Sequence, residues 1–259
     1  MLTYPQIDPV ALNLGPIKIH WYGIIYIVSF ALAWLLAKKH ARQLKYDWHI
    51  DTINDLIFYG ASGAVLGGRI GYVLFYAFNT LLHDPLFVFK IWHGGMSFHG
   101  GLLGTIISLL LFAHKNKLTY LQTLDFVAPL VPVGLLLGRI GNFINSELWG
   151  RTTLAPWGMI FPNGGPIPRH PSQLYESFAE GVVLFIIIWF YAAKPRTRGT
   201  VSALFLICYG SIRFGCEFFR EPDLQIGFIA FNWLTMGQLL SLPMIIAGLY
   251  MWWFCKKRK

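Results

Sequence analysis

The run His20-Trp21-Tyr22-Gly23-Ile24-Ile25-Tyr26-Ile27-Val28-Ser29-Phe30-Ala31-Leu32-Ala33-Trp34-Leu35-Leu36-Ala37, closed at once by Lys38-Lys39-His40-Ala41-Arg42, decides how the rest of the chain is to be read. It is uncharged over about the twenty residues that a helix needs to cross a hydrocarbon core of roughly 30 Å. It then ends in a basic block of the kind that stays in the cytoplasm. Apolar runs of this length recur along the whole sequence, so a cleavable signal peptide does not account for the first one. Of the 259 residues 55% are hydrophobic and 13% charged, far from the balance of a soluble domain. A bilayer, not water, is the expected solvent.

Extending the same reading gives an all-α polytopic integral membrane protein with seven transmembrane helices, near 20–38, 56–77, 97–114, 121–142, 174–192, 200–219 and 236–254. The stretches from Lys38 to Lys45, Lys115 to Lys117, Lys194 to Arg198 and Lys256 to Lys259 follow the first, third, fifth and seventh helices and hold thirteen of the 21 lysines and arginines. Placing all four in the cytoplasm puts the N-terminus in the periplasm and the C-terminus in the cytoplasm. The opposite face carries the two longer connections, 78–96 and 143–173, rich in glycine, proline and aromatics, where Trp92, Trp149 and Trp157 suit the headgroup level. No linker or charge block divides the chain, so residues 1–259 are read as one domain.

The net charge of +9 raises nucleic acid as a partner, but the basic residues follow topology instead of forming a stripe, and no nucleic acid is expected. Cys208 and Cys216 lie eight residues apart on one predicted helix, roughly 12 Å along its axis, too far to bridge. No Cys/His cluster has zinc-ligand spacing, so neither a metal nor a cofactor is expected. Gly68-Arg69-Ile70-Gly71 recurs as Gly138-Arg139-Ile140-Gly141, which fits either a parallel internal repeat or small-residue helix packing.

The informative residues are the charges inside apolar runs, since each costs about 2.5–3.5 kcal/mol even on the mildest insertion scale. Arg69, Arg139 and Arg213 bear that cost, and the topology puts all three in the outer half of the membrane, level with Tyr22 and His99. Tyr209, Arg213 and Glu217 are four apart and share a helix face, with Arg220 three residues on. Arg139, Asn142 and Glu147 straddle the exit of the fourth helix. Each arginine alone could simply snorkel to the interface. Three at one depth, beside a histidine, a tyrosine and two carboxylates, point to a pocket for an anionic headgroup, because guanidinium groups match phosphate oxygens in pairs. His99 sits in Gly94-Gly95-Met96-Ser97-Phe98-His99-Gly100-Gly101, where glycines permit close approach of a ligand. It is either a structural hydrogen-bonder or the candidate base, histidine being the side chain that ordinarily titrates near neutrality.

Gly138-Arg139-Ile140-Gly141-Asn142-Phe143-Ile144-Asn145-Ser146-Glu147-Leu148-Trp149-Gly150 resembles the signature of the bacterial prolipoprotein diacylglyceryl transferase family, G-R-x-G-N-F-x-N-x-E-x-x-G. His20-Trp21-Tyr22-Gly23, Gly67-Gly68-Arg69-Ile70-Gly71-Tyr72, Gly94 to Gly101, Arg169-His170-Pro171-Ser172-Gln173-Leu174-Tyr175-Glu176, and Arg213 through Glu217 to Arg220-Glu221-Pro222-Asp223 complete the likeness in order. It covers nearly the whole chain apart from 152–168.

The resemblance implies a multi-pass enzyme of the bacterial inner membrane, its active site toward the periplasmic leaflet. Its partners would be phosphatidylglycerol and lipobox-containing prolipoproteins. Diacylglycerol would pass to the lipobox cysteine thiol, forming a thioether and releasing glycerol phosphate. On that scheme His99 is the base, and Arg139 and Arg213 stabilise the departing phosphate. Glu147 and Glu217 orient the arginines, Tyr22 and Asn142 bond headgroup oxygens, and Arg69 is a secondary anionic contact. Tyr209, Gly150 and Arg220 support the site. Alternatively His99 only positions the headgroup while an arginine favours the thiolate. A transporter of an anionic solute or lipid is the rival reading, but its site should lie at the midplane between inverted repeats. An intramembrane protease needs a Ser/His pair, paired aspartates or a zinc motif, and Ser97 faces away from His99 on a helix. A purely structural scaffold leaves the clustered arginines without a reason.

Overall fold

The computed structural model describes residues 2–15, 17–44, 48–222 and 227–257. Lys45, Asp223, Arg258 and Lys259, which entered the sequence reading, lie outside the described residues. The chain is mostly helical. Helices α1 (Trp21–Gln43), α2 (Ile50–Tyr76), α3 (Phe78–His83), α4 (Phe98–Lys115), α5 (Tyr120–Val127) and α6 (Val131–Ile144) are followed by α7 (Ser172–Glu176), a π-helical turn (Ser177–Val183) and α8 (Leu184–Ala192), then by α9 (Thr200–Cys216) and α10 (Met236–Lys257).

Among the described residues, α1, α4, the continuous rod Ser172–Ala192 and α10 are long and apolar enough to cross a membrane. Helices α5 and α6, bent by 49° at a short break, make a fifth candidate if taken as one span. The expected unbroken helix 121–142 is interrupted by Pro129 and Pro132, since proline lacks the N–H that the preceding turn needs. Helix α2 is longer, but Asp51, Asp55, Arg69 and its glycines dilute its apolar character. Helix α9 is apolar and shorter than a span.

The all-α expectation misses two small sheets. Strands β1 (Leu2–Thr3) and β4 (Met159–Ile160) pair in parallel, Leu2 opposite Met159, while β2 (Val10–Leu14) and β3 (Ile17–His20) form an antiparallel hairpin leading into α1. Tyr4, Met159 and Phe161 make a small buried core under Phe143 and Trp149, and the Tyr4 hydroxyl reaches the Phe143 and Ile144 carbonyls at 2.7 Å each. The N-terminus thereby pins the end of α6.

The chain divides into two compact units, Met1–Leu36 with Asp125–Lys259, and Ala37–Leu124. In the smaller unit α2 packs on α4 through facing small residues. A Cβ on Gly67 would stand 2.7 Å from Gly104 Cα, and one on Gly71 would stand 2.7 Å from Gly100 Cα. Spacing of four puts Gly63, Gly67 and Gly71 on one face, which lets the two backbones touch as they do in membrane helix pairs. Aromatic contacts of Phe112 with Tyr59 and Trp48 close the other end.

In the larger unit α9 and α10 also pack through glycines, Gly210 against Ile245 and Gly248 against the Ala203 carbonyl. Leu184, Ile188, Ala192, Val201 and Ala128 form its buried centre, with Tyr209 packed against them. Asp125 caps α9 by accepting from the Ser202 backbone N–H at 2.8 Å and its hydroxyl at 2.7 Å.

Candidate active site

The larger unit gathers most of the residues singled out in the sequence. Arg139 projects from α6 and Arg213 from α9, and both meet one oxygen of Glu176: Arg139 Nη2 and Arg213 Nη1 each lie 2.8 Å from Glu176 Oε2. Glu180, one turn on, uses its two oxygens separately. Its Oε2 is 3.3 Å from Arg139 Nη2 and its Oε1 is 3.4 Å from Arg213 Nη1. Glu217 takes the other side of Arg213 in a short ion pair, accepts from Thr235 Oγ1 at 2.7 Å and lies 3.7 Å from Arg220 Nη1. The carboxylates of Glu176 and Glu180 are sealed, at 1% and 0% exposure, whereas the arginines keep 16% and 11%. What access remains is therefore on the cationic side.

The helix carrying Glu176 and Glu180 is locally π-helical. Single π turns commonly mark functional positions, because the widened turn redirects side chains. Here the turn rests on α6: Ser177 Oγ donates to the Leu136 carbonyl at 3.1 Å, and a Cβ on Gly181 would stand 2.6 Å from Leu136 Cβ.

A second polar group lies where α6 ends. Glu147 accepts short hydrogen bonds from the Tyr22 hydroxyl and, at 2.7 Å, from Asn142 Nδ2, which also donates to Tyr22. Gly141 makes room for the ring, since a Cβ there would stand 3.2 Å from the Tyr22 edge. The carboxylate is aimed by a loop in which Ser146 and Leu148 both hold positive φ, a conformation that non-glycine residues adopt at a cost. Gln173 Nε2 on the Glu147 carbonyl at 2.6 Å and Ser172 Oγ on the Leu148 carbonyl at 3.1 Å hold that loop. Asn142 Oδ1, 3.5 Å from Arg139 Nη1, joins this group to the ion cluster.

The geometry corrects several expected partnerships. Glu147 is spent on Tyr22 and Asn142, so the carboxylates on Arg139 are Glu176 and Glu180. Tyr209 stacks its ring on Phe205 and keeps its hydroxyl within electrostatic reach of Glu180 and Arg213. Gly150 is a backbone position: its N–H donates to the His170 carbonyl at 2.8 Å, and a Cβ would stand 2.6 Å from that oxygen. Around it Arg169 lies over the Trp149 ring at 4.0 Å and bonds Glu221 at 3.2 Å, while Arg151 donates to the Arg220 and Glu217 carbonyls. His170 meets the Tyr175 hydroxyl at 3.1 Å, and burial holds its imidazole below the usual histidine range.

Two candidates belong to the smaller unit. His99 stands exposed in the first turn of α4, edge-on to Phe98, after Ser97 caps the helix by accepting from the Gly100 N–H. Arg69 is 3% exposed and donates to the carbonyls of Val88, Gly94, Gly95, Phe87 and Lys90. A guanidinium has five N–H groups, so this clasp on the 85–95 connection leaves none for an anion, against the expected headgroup contact. The sequence echo thus covers two different jobs, carbonyl clasp at Arg69 and ion pairing at Arg139.

Sequence reading gave no role to Glu176, Glu180, Arg151, Arg169 or Thr235. The first two had a signal: they are the charges in the apolar run 174–192, and the insertion cost that singles out buried arginines applies to them as well.

The family profile for prolipoprotein diacylglyceryl transferase matches residues 9–254. The chain belongs to that family. A phosphatidylglycerol–prolipoprotein diacylglyceryl transferase of Coxiella burnetii (strain RSA 331 / Henzerling II) is 58% identical over 259 residues, 100% of this chain and 99% of its own length. One of Legionella pneumophila (strain Lens) is 58% identical over 253 residues, 98% of this chain and 99% of its own. In this member of the transferase family the signature stretch 138–150 divides its work along the chain. Arg139 joins the ion cluster, Asn142 and Glu147 hold Tyr22, and Gly150 seats the loop that carries His170.

Proposed function

We propose that this chain transfers the diacylglyceryl group of phosphatidylglycerol to the lipobox cysteine thiol of a prolipoprotein, forming a thioether and releasing glycerol phosphate. The observation that carries the reading is the pair Arg139 and Arg213 on one Glu176 oxygen. Two guanidinium nitrogens at 2.8 Å from a single atom lie within twice that distance of each other, close enough to share one phosphate group. Sulfur attacks the glyceryl carbon, the carbon–oxygen bond breaks, and the electron pair passes to the phosphate oxygen. Fixed donors facing that oxygen stabilise the growing charge without having to reorganise.

His99 is assigned the thiol proton, on its exposed place at a glycine-dense helix entry. Tyr22 and Asn142 are assigned headgroup oxygens, and Glu147 and Glu217 the positioning of their neighbours. Gly150, Tyr209 and Arg220 support the site from around it. The activity is placed in the chain as one catalytic domain of the bacterial inner membrane, with seven spans, the N-terminus and the active site on the periplasmic side and the C-terminus in the cytoplasm. The distribution of basic segments supports this orientation.

The test is product identification. Purified protein, phosphatidylglycerol and a lipobox peptide should yield peptide heavier by one diacylglyceryl group, with glycerol phosphate in equal amount. A Cys→Ser peptide should stay unmodified. Unchanged wild-type peptide from folded, lipid-supplied protein would reject the reading and favour transport.

A further inference from the structure

Arg139, Arg213 and Arg220 stand against Glu176, Glu180 and Glu217, so the formal charges of the ion cluster cancel before any anion arrives. Glu147, joined to Arg139 through Asn142, adds a negative group at one edge, and Arg151, on the Glu217 and Arg220 carbonyls, adds a positive one at another. A phosphodiester brings one more negative charge into a cluster with no positive surplus, whose carboxylates Glu176 and Glu180 are buried. Like charges gathered in such surroundings are relieved when one acidic group takes a proton.

The geometry distinguishes the carboxylates. Glu180 spans the pair with a separate oxygen for each arginine and so sets their spacing. Glu217 is tied by Arg213, Arg220 and Thr235 Oγ1 together. Glu176 reaches both arginines through Oε2 alone, and that atom occupies the point between the guanidinium groups where a phosphate oxygen would bridge them. Neutralising Glu176 therefore frees the bridging position and restores the charge balance in one step. The other groups acting on it are Arg139 from α6, Arg213, Tyr209 and Cys216 from α9, Arg220 beyond it and Glu180 on its own helix, with Glu217 connected to it through their shared partner Arg213.

Resting on the transferase reading, we propose that the phosphodiester headgroup enters this cluster together with a proton, and that Glu176 is the carboxylate that takes it. The proton comes from solvent and is held on the Glu176 carboxyl while the phosphate oxygen replaces Oε2 between the arginines. Glu176 is on this account a positioning residue that switches the arginines from internal pairing to the ligand.

The heat of binding dioctanoyl phosphatidylglycerol to the full chain in detergent, compared across buffers of different ionisation enthalpy, counts protons directly. Wild type should take up about one proton per lipid, and its affinity should fall about tenfold per pH unit above the range where the free carboxyl titrates. Glu176→Gln should bind at least as tightly, take up no proton and lose the pH dependence, while Glu180→Gln and Glu217→Gln keep the uptake. Binding without proton uptake in wild type overturns the proposal, as does undiminished uptake in Glu176→Gln. If Glu176→Gln does not fold, loss of uptake in either of the other two variants overturns the assignment. Protein that binds and transfers lipid without proton uptake sinks this inference alone. Protein that does neither sinks the transferase reading with it.

Discussion

At the scale of single residues, the contrast between Arg69 and Arg139 shows why a buried guanidinium must be read by its partners. Arg69 satisfies five carbonyls of a connection that has no regular ladder to pair with, which makes it a structural post. Arg69→Ala should lower stability by about 3 kcal/mol, because five partly buried acceptors lose their donor at once. Thermal unfolding in detergent should record the loss, while the Michaelis constant for phosphatidylglycerol in the folded fraction stays put. A raised constant with unchanged stability would instead restore Arg69 to the headgroup. His170 offers a check by pH. Its folded state favours the neutral ring, so its contribution to stability is full above the unfolded value of about 6.5 and declines as pH falls below it. Melting curves should therefore converge toward those of His170→Gln as the pH is lowered. Arg139, Arg213, Glu217, Tyr22, Asn142 and Glu147 were legible as a polar group from spacing and insertion cost. Glu176 and Glu180 carry the same insertion-cost signal, but a carboxylate pair in an apolar helix finds its partners only when the arginines of α6 and α9 are seen to converge on it.

Helices are set here by two sequence devices that pull in opposite directions. Small residues in steps of four let α2 and α4 touch backbone to backbone, and proline pairs break what hydropathy alone reads as a continuous span. Gly67→Leu should destabilise the smaller unit by about 1–3 kcal/mol, since its Cβ would meet Gly104 Cα with nothing flexible to move aside. Gly134→Ala on α6, where a Cβ would meet nothing within 4 Å, should instead be neutral or slightly stabilising. Equal melting temperatures for the two variants would argue against the glycine contact. The apolar runs 97–114, 174–192 and 236–254 agree closely with Phe98–Lys115, Ser172–Ala192 and Met236–Lys257, because long, predominantly apolar stretches leave the backbone no alternative to helix. The break at 128–130 is marked by Pro129 and Pro132, whereas the π turn at Ser177–Val183 and the short strands left no such trace. Those depend on Leu136 and on pairing between residues as distant as Leu2 and Met159.

In the larger unit an apolar helical frame holds a nearly sealed ion cluster whose remaining access is through its arginines. The proposed orientation predicts that alkaline phosphatase fused in the 143–173 connection is active and that the same enzyme fused after the C-terminus is inactive. The reverse pattern would invert the topology. In the proposed scheme a cluster that is neutral at rest and opened by its ligand also keeps a charged site from being left bare to hydrocarbon. Arg139 and Arg213 are proposed to act together on the departing phosphate. Transfer of labelled diacylglycerol to a lipobox peptide by wild type, Arg139→Ala, Arg213→Ala and the double variant, each shown to be folded, measures that joint action. Each single change should cost about a hundredfold or more in rate, with the double variant little worse than either, as expected for donors that work as one unit. Transfer that survives either single change at near wild-type rate would contradict the account.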